Sequence, residues 1–248
     1  MPLQLIEPDW PAPAGVRAAA TTRAGGVSAA AYASLNLGDH VGDDPAAVAG
    51  NRRRLAAALK LPAAPLWLRQ VHGRRVASAS RDGAGTEADA MVATLPGAVC
   101  VVLTADCLPV LLCDAEGTAV AAAHAGWRGL AAGVLEATVA ALVAAGAGAD
   151  RLMAWIGPAI SAPAYEVGEE VRGACLAGDP GAAGAFSANA RGRWQLDLPA
   201  LARHRLAAAG VTRIYGGQHC TFSDPRRFFS HRRDGSCGRQ ATLVWMDH

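Results

Sequence analysis

The sequence predicts an α/β fold, a single domain over residues 1–248 with mixed β-sheets flanked by helices and an active site at strand ends. Three observations carry that prediction. Short apolar runs rich in Val, Leu and Ala recur along the chain, the pattern of buried strands. Between them lie longer stretches with helical caps, at Asp44 to Leu59, Gly129 to Gly146 and Asp197 to Gly210. The two kinds alternate irregularly, which favours mixed sheets over a doubly wound parallel one. Chemistry-bearing side chains gather where the apolar runs end, the corners at which α/β proteins place their sites.

Taken in order, residues 1–15 are Pro-rich and read as an extended arm. Val16 to Thr22 reads as a strand ending in a Gly-Gly turn, with Arg23 in the turn. Tyr32 to Val41 is loop-like and carries Asn36, Asp39 and His40. Asp44 and Pro45 suit the N-cap and first position of a helix running to about Leu59. Arg52 to Arg54 on that helix read as a solvated face. Pro65 to Val71 is predicted to be a strand leading to the polar corner Gln70 to Gly73, with Val76 to Ser78 resuming it. A Gly-rich loop, Arg81 to Glu87, leads through 88–92 into the central stretch.

That stretch, Val99 to Ala145, reads as strand (Val99–Leu103), Asp-Cys corner, strand (Pro109–Cys113), turn (114–117), strand (Thr118–Ala123), His-containing corner and a helix from Gly129 to Gly146. Beyond it, Leu152 to Ile156 is a strand and 157–160 a turn. A helix is predicted from Tyr165 through Cys175, and a flexible Gly/Ala loop over 177–192. A helix over Asp197 to Ala209 is capped by Gly210. Val211 to Tyr215 is a strand, 219–222 a corner, 228–235 a loop or short hairpin, and Ala241 to Trp245 the closing strand.

Composition excludes several classes. The 248 residues are 52% hydrophobic, ample for a core, and the formal net charge of +2 gives no general attraction to nucleic acid or membrane. Lys60 is the only lysine. No apolar run is long enough to span a bilayer, and the N-terminal segment lacks the pattern of a signal peptide, so a cytoplasmic protein is expected. Six cysteines without CxxC spacing read as thiols or ligands rather than disulfides.

His72, Cys107 and His124 stand out, each following an apolar run. Two imidazoles and one thiolate suit Zn²⁺ with an open fourth position, and copper accepts the same donors. The bland alternative is a buried thiol and two satisfied core histidines. After His124 comes Ala125-Gly126-Trp127-Arg128-Gly129 at a helix start, where backbone N–H groups and Arg128 suit an anion. Arg23 and the pair Arg232-Arg233 also sit in glycine-bearing loops.

The blocks TTRAGGVS (21–28), YASLNLGDHVGDD (32–44), NRRRL (51–55), QVHG (70–73), ADAMV (88–92), TADCLPVLL (104–112), AAAHAGWRG (121–129), WIGPAIS (155–161), YEVGEEV (165–171), LDL (196–198), CTF (220–222) and FFSHRRDG (228–235) together resemble the multicopper polyphenol oxidase, or laccase-domain, family. That family is now described as one of purine nucleoside phosphorylases. The likeness covers almost the whole chain, and the blocks around Cys107 and His124 are the most specific. It implies zinc, with copper possible, on His72, Cys107 and His124. One departure is Ser236-Cys237-Gly238-Arg239, where the family pattern has Thr before Gly-Arg.

The resemblance implies phosphorolysis of adenosine, inosine, guanosine and S-methyl-5′-thioadenosine, and deamination of adenosine to inosine. Deamination would draw on water activated at the metal, with Asp106 moving the proton and Gln70 orienting the substrate. In phosphorolysis Arg128, with Arg23 or Arg233, would hold phosphate against the ribose anomeric carbon. Asn36 joins Arg23 and Arg233 as a substrate-binding candidate, and Tyr165, Trp127 and Phe222 are candidates to stack on the purine. The expected partners are purine nucleosides and phosphate, with no nucleic acid or membrane, and the chain is expected to be a monomer. Three rival readings remain. They are a copper-dependent polyphenol oxidase, a hydrolase of peptidoglycan precursors with Cys107 or Cys220 as nucleophile and His124 or His72 as base, and a structural zinc with His219 or a further Cys as fourth ligand.

Overall fold

The computed structural model describes residues 2–247. In chain order its strands and α-helices are β1 (Leu5–Ile6), β2 (Val16–Thr21), α1 (Pro45–Leu59), β3 (Val76–Ser78), β4 (Ala90–Ala93), β5 (Cys100–Thr104), β6 (Leu108–Asp114), β7 (Val120–Ala125), α2 (Trp127–Ala132), α3 (Val134–Ala144), β8 (Leu152–Ile156), β9 (Glu166–Val167), α4 (Glu169–Leu176), β10 (Phe186–Ala188), β11 (Trp194–Leu196), α5 (Leu198–Ala208), β12 (Arg213–Gly216), α6 (His231–Asp234) and β13 (Gln240–Met246). The predicted α/β class with mixed sheets and flanking helices holds.

The strands form a six-stranded sheet in the order β12-β8-β6-β7-β4-β3, a four-stranded sheet β1-β2-β13-β5, and a small sheet β10-β11-β9. The six-stranded sheet is mixed: β12 runs parallel to β8 and β3 parallel to β4, while the central pairings are antiparallel.

Side-chain alternation explains the layering. In β6, Leu108, Val110 and Leu112 pack with α2, α3 and α5 residues such as Leu130, Leu135 and Leu206. The intervening Leu111 and Cys113 pack instead against Val102 and Val244 of the other sheet. In β5 and β13, Val101, Leu103, Leu243 and Trp245 face outward to Leu55 of α1. The order through the molecule is therefore α1, four-stranded sheet, six-stranded sheet, remaining long helices, with period-2 strands dividing their side chains between successive layers. Both faces of each central strand are covered, which is why they read as unbroken apolar runs.

Several elements differ from expectation. Residues 65–71 are not a strand; they form a strap touching its neighbours by single bridges, Leu66 to Cys100 and Arg69 to Glu87. The strap shares its hydrogen bonds between the edge of β5 and the loop 81–87, as in Leu66 N to Val99 O and Arg69 N to Thr86 O, so no ladder propagates. The helix predicted over 129–146 begins at Trp127 and breaks at Gly133, whose φ of +88° ends α2 and starts α3. Tyr165 does not open a helix. Glu166 and Val167 pair with β11, and α4 starts at Glu169. The predicted loop over 177–192 contains a 3-10 turn, Pro180–Ala185, and strand β10. The 228–235 loop contains α6, whose N-cap Ser230 accepts from Arg233 N. Arg52 turns inward, donating to Leu37 O and stacking on Trp67, while Arg53 and Arg54 are exposed as expected.

Candidate functional site

The site lies where the two large sheets meet. Strand β5 belongs to one and β6 to the other, so the corner Ala105-Asp106-Cys107 carries the chain between layers. Asp106 adopts φ +87°, a left-handed region that a non-glycine residue occupies only at a cost. Its carboxylate offsets that cost: Oδ1 accepts from Thr221 Oγ1 at 2.6 Å and Oδ2 from Arg232 N at 2.7 Å. Cys107 follows at the foot of β6.

His124 is placed by register. Ala123 of β7 pairs with Ala90 of β4, which sets Asp89 opposite His124 on the same face. Both are buried, His124 Nδ1 lies 2.8 Å from Asp89 Oδ1, and His124 N donates to Asp89 O at 2.7 Å. The same carboxylate accepts from the backbone N–H groups of Val71 (3.2 Å), His72 (2.8 Å) and Gly73 (2.7 Å). It thereby holds the left-handed corner at His72, φ +61°, against β4. One side chain, Asp89, thus fixes two of the three candidate ligands.

One donor atom from each of His72, Cys107 and His124 lies within 4.8 Å of the others, and the two imidazoles meet edge to face at 4.7 Å. Bond lengths of about 2.0–2.3 Å around a tetrahedral ion put ligand atoms roughly 3.5 Å apart, so small side-chain shifts close the set. With Nδ1 turned to Asp89, His124 presents Nε2, the carboxylate-backed arrangement common to metal-binding histidines. Burial raises the Cys107 thiol, but the adjoining His124, through charge and hydrogen bond, and then His72 outweigh it and bring it down to about 6. Burial lowers His124, and the Cys107 thiolate with the Asp89 hydrogen bond lifts it to about 9. The pair therefore rests as a Cys107 thiolate beside a protonated His124, and a metal would bind the thiolate and displace the imidazole proton. The residues fit a metal ion. Among the described residues no fourth His, Cys, Asp or Glu joins the set, so His219 does not close it, and a position stays open on the cavity side.

That cavity, about 340 Å³, is lined on one side by His72, Asp106 and Cys107 and on the other by Trp127, Arg128, Tyr165, His231, Arg232 and Arg239. Arg128 stacks on Trp127 and has no carboxylate partner among the described residues. Arg232 stacks on Tyr165 and gives one N–H to Glu166 O. Arg239 gives one to the carbonyls of Cys237 and Gly238. Each stacked guanidinium keeps N–H groups for an anion.

Other expected site residues lie outside it. Gln70 gives both ends of its amide to Leu103, donating to O at 2.8 Å and accepting from N at 2.7 Å. It completes the open edge of β5 in place of a strand, so it is not free to orient a substrate. Arg23 donates to Ala33 O and Pro225 O and stacks on Phe229. Arg233 donates to Thr221 O, Phe222 O and Phe228 O and pairs with Asp234. Asn36 is fully buried, bonded to Gly38, Asp43 and Arg239 N. These three brace loops around the site and do not line the cavity. Phe222 also lies outside it, while Tyr165 and Trp127 face in. Sequence reasoning missed Asp89, His231, Arg232 as distinct from Arg233, and Arg239. Asp89 alone carried a signal, as an acid lodged in an otherwise apolar approach to a strand.

Fold and site together define an α/β protein with a His-Cys-His cluster that fits a metal ion and opens into an arginine-rich cavity. The chain belongs to the multi-copper polyphenol oxidoreductase laccase family, whose family model matches residues 17–247. It is 55% identical over 242 residues to a purine nucleoside phosphorylase of Pseudomonas aeruginosa, covering 97% of this chain and 98% of that protein. It is 50% identical over 244 residues to a purine nucleoside phosphorylase of Escherichia coli, covering 98% and 99%. A crystal structure of a Neisseria meningitidis protein superposes with TM-score 0.94 at 51% identity over 98% of this chain and 99% of that one. One from Geobacillus stearothermophilus gives 0.89 at 33% over 95% and 93%. No helix among the described residues is long and apolar enough to cross a membrane.

Proposed function

We propose that this chain is a zinc-dependent purine nucleoside phosphorylase that cleaves adenosine, inosine, guanosine and S-methyl-5′-thioadenosine with phosphate and also deaminates adenosine to inosine. The observation that carries the reading is one cavity in which a His-Cys-His donor set faces arginine N–H groups. It is supported by relatives named purine nucleoside phosphorylase along almost their full length. Zinc would be held by His72, Cys107 and His124 and would supply Lewis acidity.

The rest of the chemistry belongs to the chain's own groups. Arg128 and Arg232, joined by Arg239, hold phosphate in line with the ribose anomeric carbon. Arg128 keeps the role expected of it, and Arg232 and Arg239 take the one first expected of Arg23 or Arg233. Tyr165 and Trp127 offer ring faces to the purine, and Leu198 and Ile160 keep water from one wall. Asp106 holds the Cys107 corner and docks α6 through Arg232 N. A copper oxidase acting through a multicopper cluster requires further donor groups, and among the described residues there is one such set.

The test is a product assay on zinc-loaded protein with adenosine and with inosine, each with and without phosphate. Free base plus ribose 1-phosphate, formed only with phosphate and lost in His72→Ala and Cys107→Ala, is the expected result. Inosine formed from adenosine without phosphate is the deaminase. Unchanged nucleosides with a full metal site would overturn the reading.

A further inference from the structure

Phosphorolysis leaves one requirement that the phosphate site does not meet. As the C1′–N9 bond breaks, the purine departs with the bonding electron pair, and a proton delivered to N7 neutralises it. The cavity holds few groups able to deliver one. His72 and Cys107 belong to the metal set. The arginines do not give up protons at working pH. Asp106 has both carboxylate oxygens engaged by the protein, Oδ1 accepting from Thr221 Oγ1 and Oδ2 from Arg232 N, so neither is turned to the substrate. Tyr165 is pushed well above its ordinary range by burial, with the Cys107 charge adding to it, so its hydroxyl holds its proton.

His231 is left, at the start of α6 on the cavity rim. Its Nδ1 lies 2.7 Å from Gly235 O. A carbonyl only accepts, so Nδ1 keeps its hydrogen whether the ring is neutral or charged. Proton exchange therefore falls on Nε2, which has no protein partner among the described residues. The residue is exposed, so solvent has access to restore the proton after each turnover. Through Arg232 N and Asp106, the helix that carries His231 is tied to the corner that carries Cys107, which keeps the two sides of the cavity in fixed relation.

We propose that His231 is the general acid of phosphorolysis, donating from Nε2 to N7 of the departing purine; this rests on the phosphorylase reading. A phosphate oxygen forms the bond to C1′ while the C1′–N9 bond breaks. The N9 electron pair moves into the purine ring, N7 takes the proton from Nε2, and the neutral imidazole regains one from water.

The test compares inosine with 7-methylinosine in the zinc-loaded enzyme and in His231→Asn. The asparagine amide can keep the bond to Gly235 O but carries no group in place of Nε2. In 7-methylinosine the ring is already cationic and leaves as a neutral base without a proton. Loss of a general acid lowers kcat/KM for inosine by about 10²–10⁴-fold, and the rate on 7-methylinosine stays unchanged. His231→Ala, which also loses the Gly235 bond, gives the same ratio between substrates, because any loss of folded enzyme affects both equally. Equal losses on both substrates, or no loss on inosine, would overturn the assignment. If the wild-type enzyme with phosphate cleaves neither, the phosphorylase reading itself fails and the assignment falls with it.

Discussion

Replacing Asp89 with Asn changes one atom and should disable the metal site from behind. The wild-type carboxylate receives His72 N and His124 Nδ1 on Oδ1 and Gly73 N and Val71 N on Oδ2, and it is fully buried. An amide has one accepting oxygen. Whichever way it turns, its NH₂ confronts two donors, and the longer Val71 contact marks the Oδ2 side as the one given up. The stranded donors at the 71–73 corner are only part-buried, so each costs about 1 kcal/mol, the low end for a lost partner, and the two together roughly 2 kcal/mol. At about 2–4 °C per kcal/mol for a chain of this size, the metal-free protein should unfold roughly 4–8 °C lower. The charge that orients His124 is lost as well, and loss of such a partner typically weakens metal binding by about 10–100-fold. Two assays read this: zinc competition against a chromophoric chelator, and thermal unfolding with and without zinc. Wild-type zinc affinity together with an unchanged Tm in Asp89→Asn would refute the argument, since it would mean that the carboxylate holds neither the His72 corner nor His124.

Other perturbations separate the parts of the site. Gly126 has an ordinary φ of −66°, but an added Cβ would lie 2.8 Å from Cys107 Sγ and 3.4 Å from His72 Cδ2. Gly126→Ala should therefore lower bound zinc, measured by metal analysis, while the Tm of metal-free protein stays near wild type. Arg128→Ala should raise the KM for phosphate by about tenfold or more, the worth of one hydrogen bond between charged groups of about 1.5–3 kcal/mol, and leave the KM for inosine little changed in steady-state kinetics. Asp234 is held below its ordinary 3.8, chiefly by its hydrogen bond from Arg233. Its folded value is depressed, so its contribution is present above pH 3.8 and is lost as pH falls through the lower folded value. Asp234→Asn should therefore lower the Tm at neutral pH and narrow its gap to wild type in acid, seen in thermal scans from pH 7 down to 3.

The parts of this molecule that were legible in the chain are those governed by local rules. Asp44 and Pro45 start α1 as capping chemistry requires, with Asp44 Oδ1 accepting from Ala46 N. The apolar runs become strands because both faces of each are covered. The three residues that gather into one donor set, His72, Cys107 and His124, were legible by residue type and by their place after apolar runs. What was hidden depends on partners far along the chain. Residues 65–71 have strand composition but meet only an edge already shared with a loop. Arg232 and Arg233 are neighbours of identical type, and only the packing of α6 turns one to the cavity and spends the other on three carbonyls. Gln70, Arg23 and Asn36 look like polar site residues because they are polar groups at corners, and at these corners the backbone consumes them.

The same long-range pairing explains why the site sits where it does. His124 pairs with Pro109 across β6 and β7, which brings the chain just before β6 beside the chain just after β7. Cys107 and Gly126 are those two segments, close enough that a Cβ at 126 would lie 2.8 Å from Cys107 Sγ. On the other side of β7 the register with β4 puts Asp89 against His124, and Asp89 in turn draws in the 71–73 corner. A one-residue slip in either pairing would turn His124 to the opposite face, toward α2 and α3, and disperse the donor set. The donor set therefore follows from sheet register: three side chains from distant segments meet because one central strand aligns them, and the left-handed corner at His72 is held by Asp89, the carboxylate that the register puts within reach, while Asp106 holds its own corner through Thr221 and Arg232.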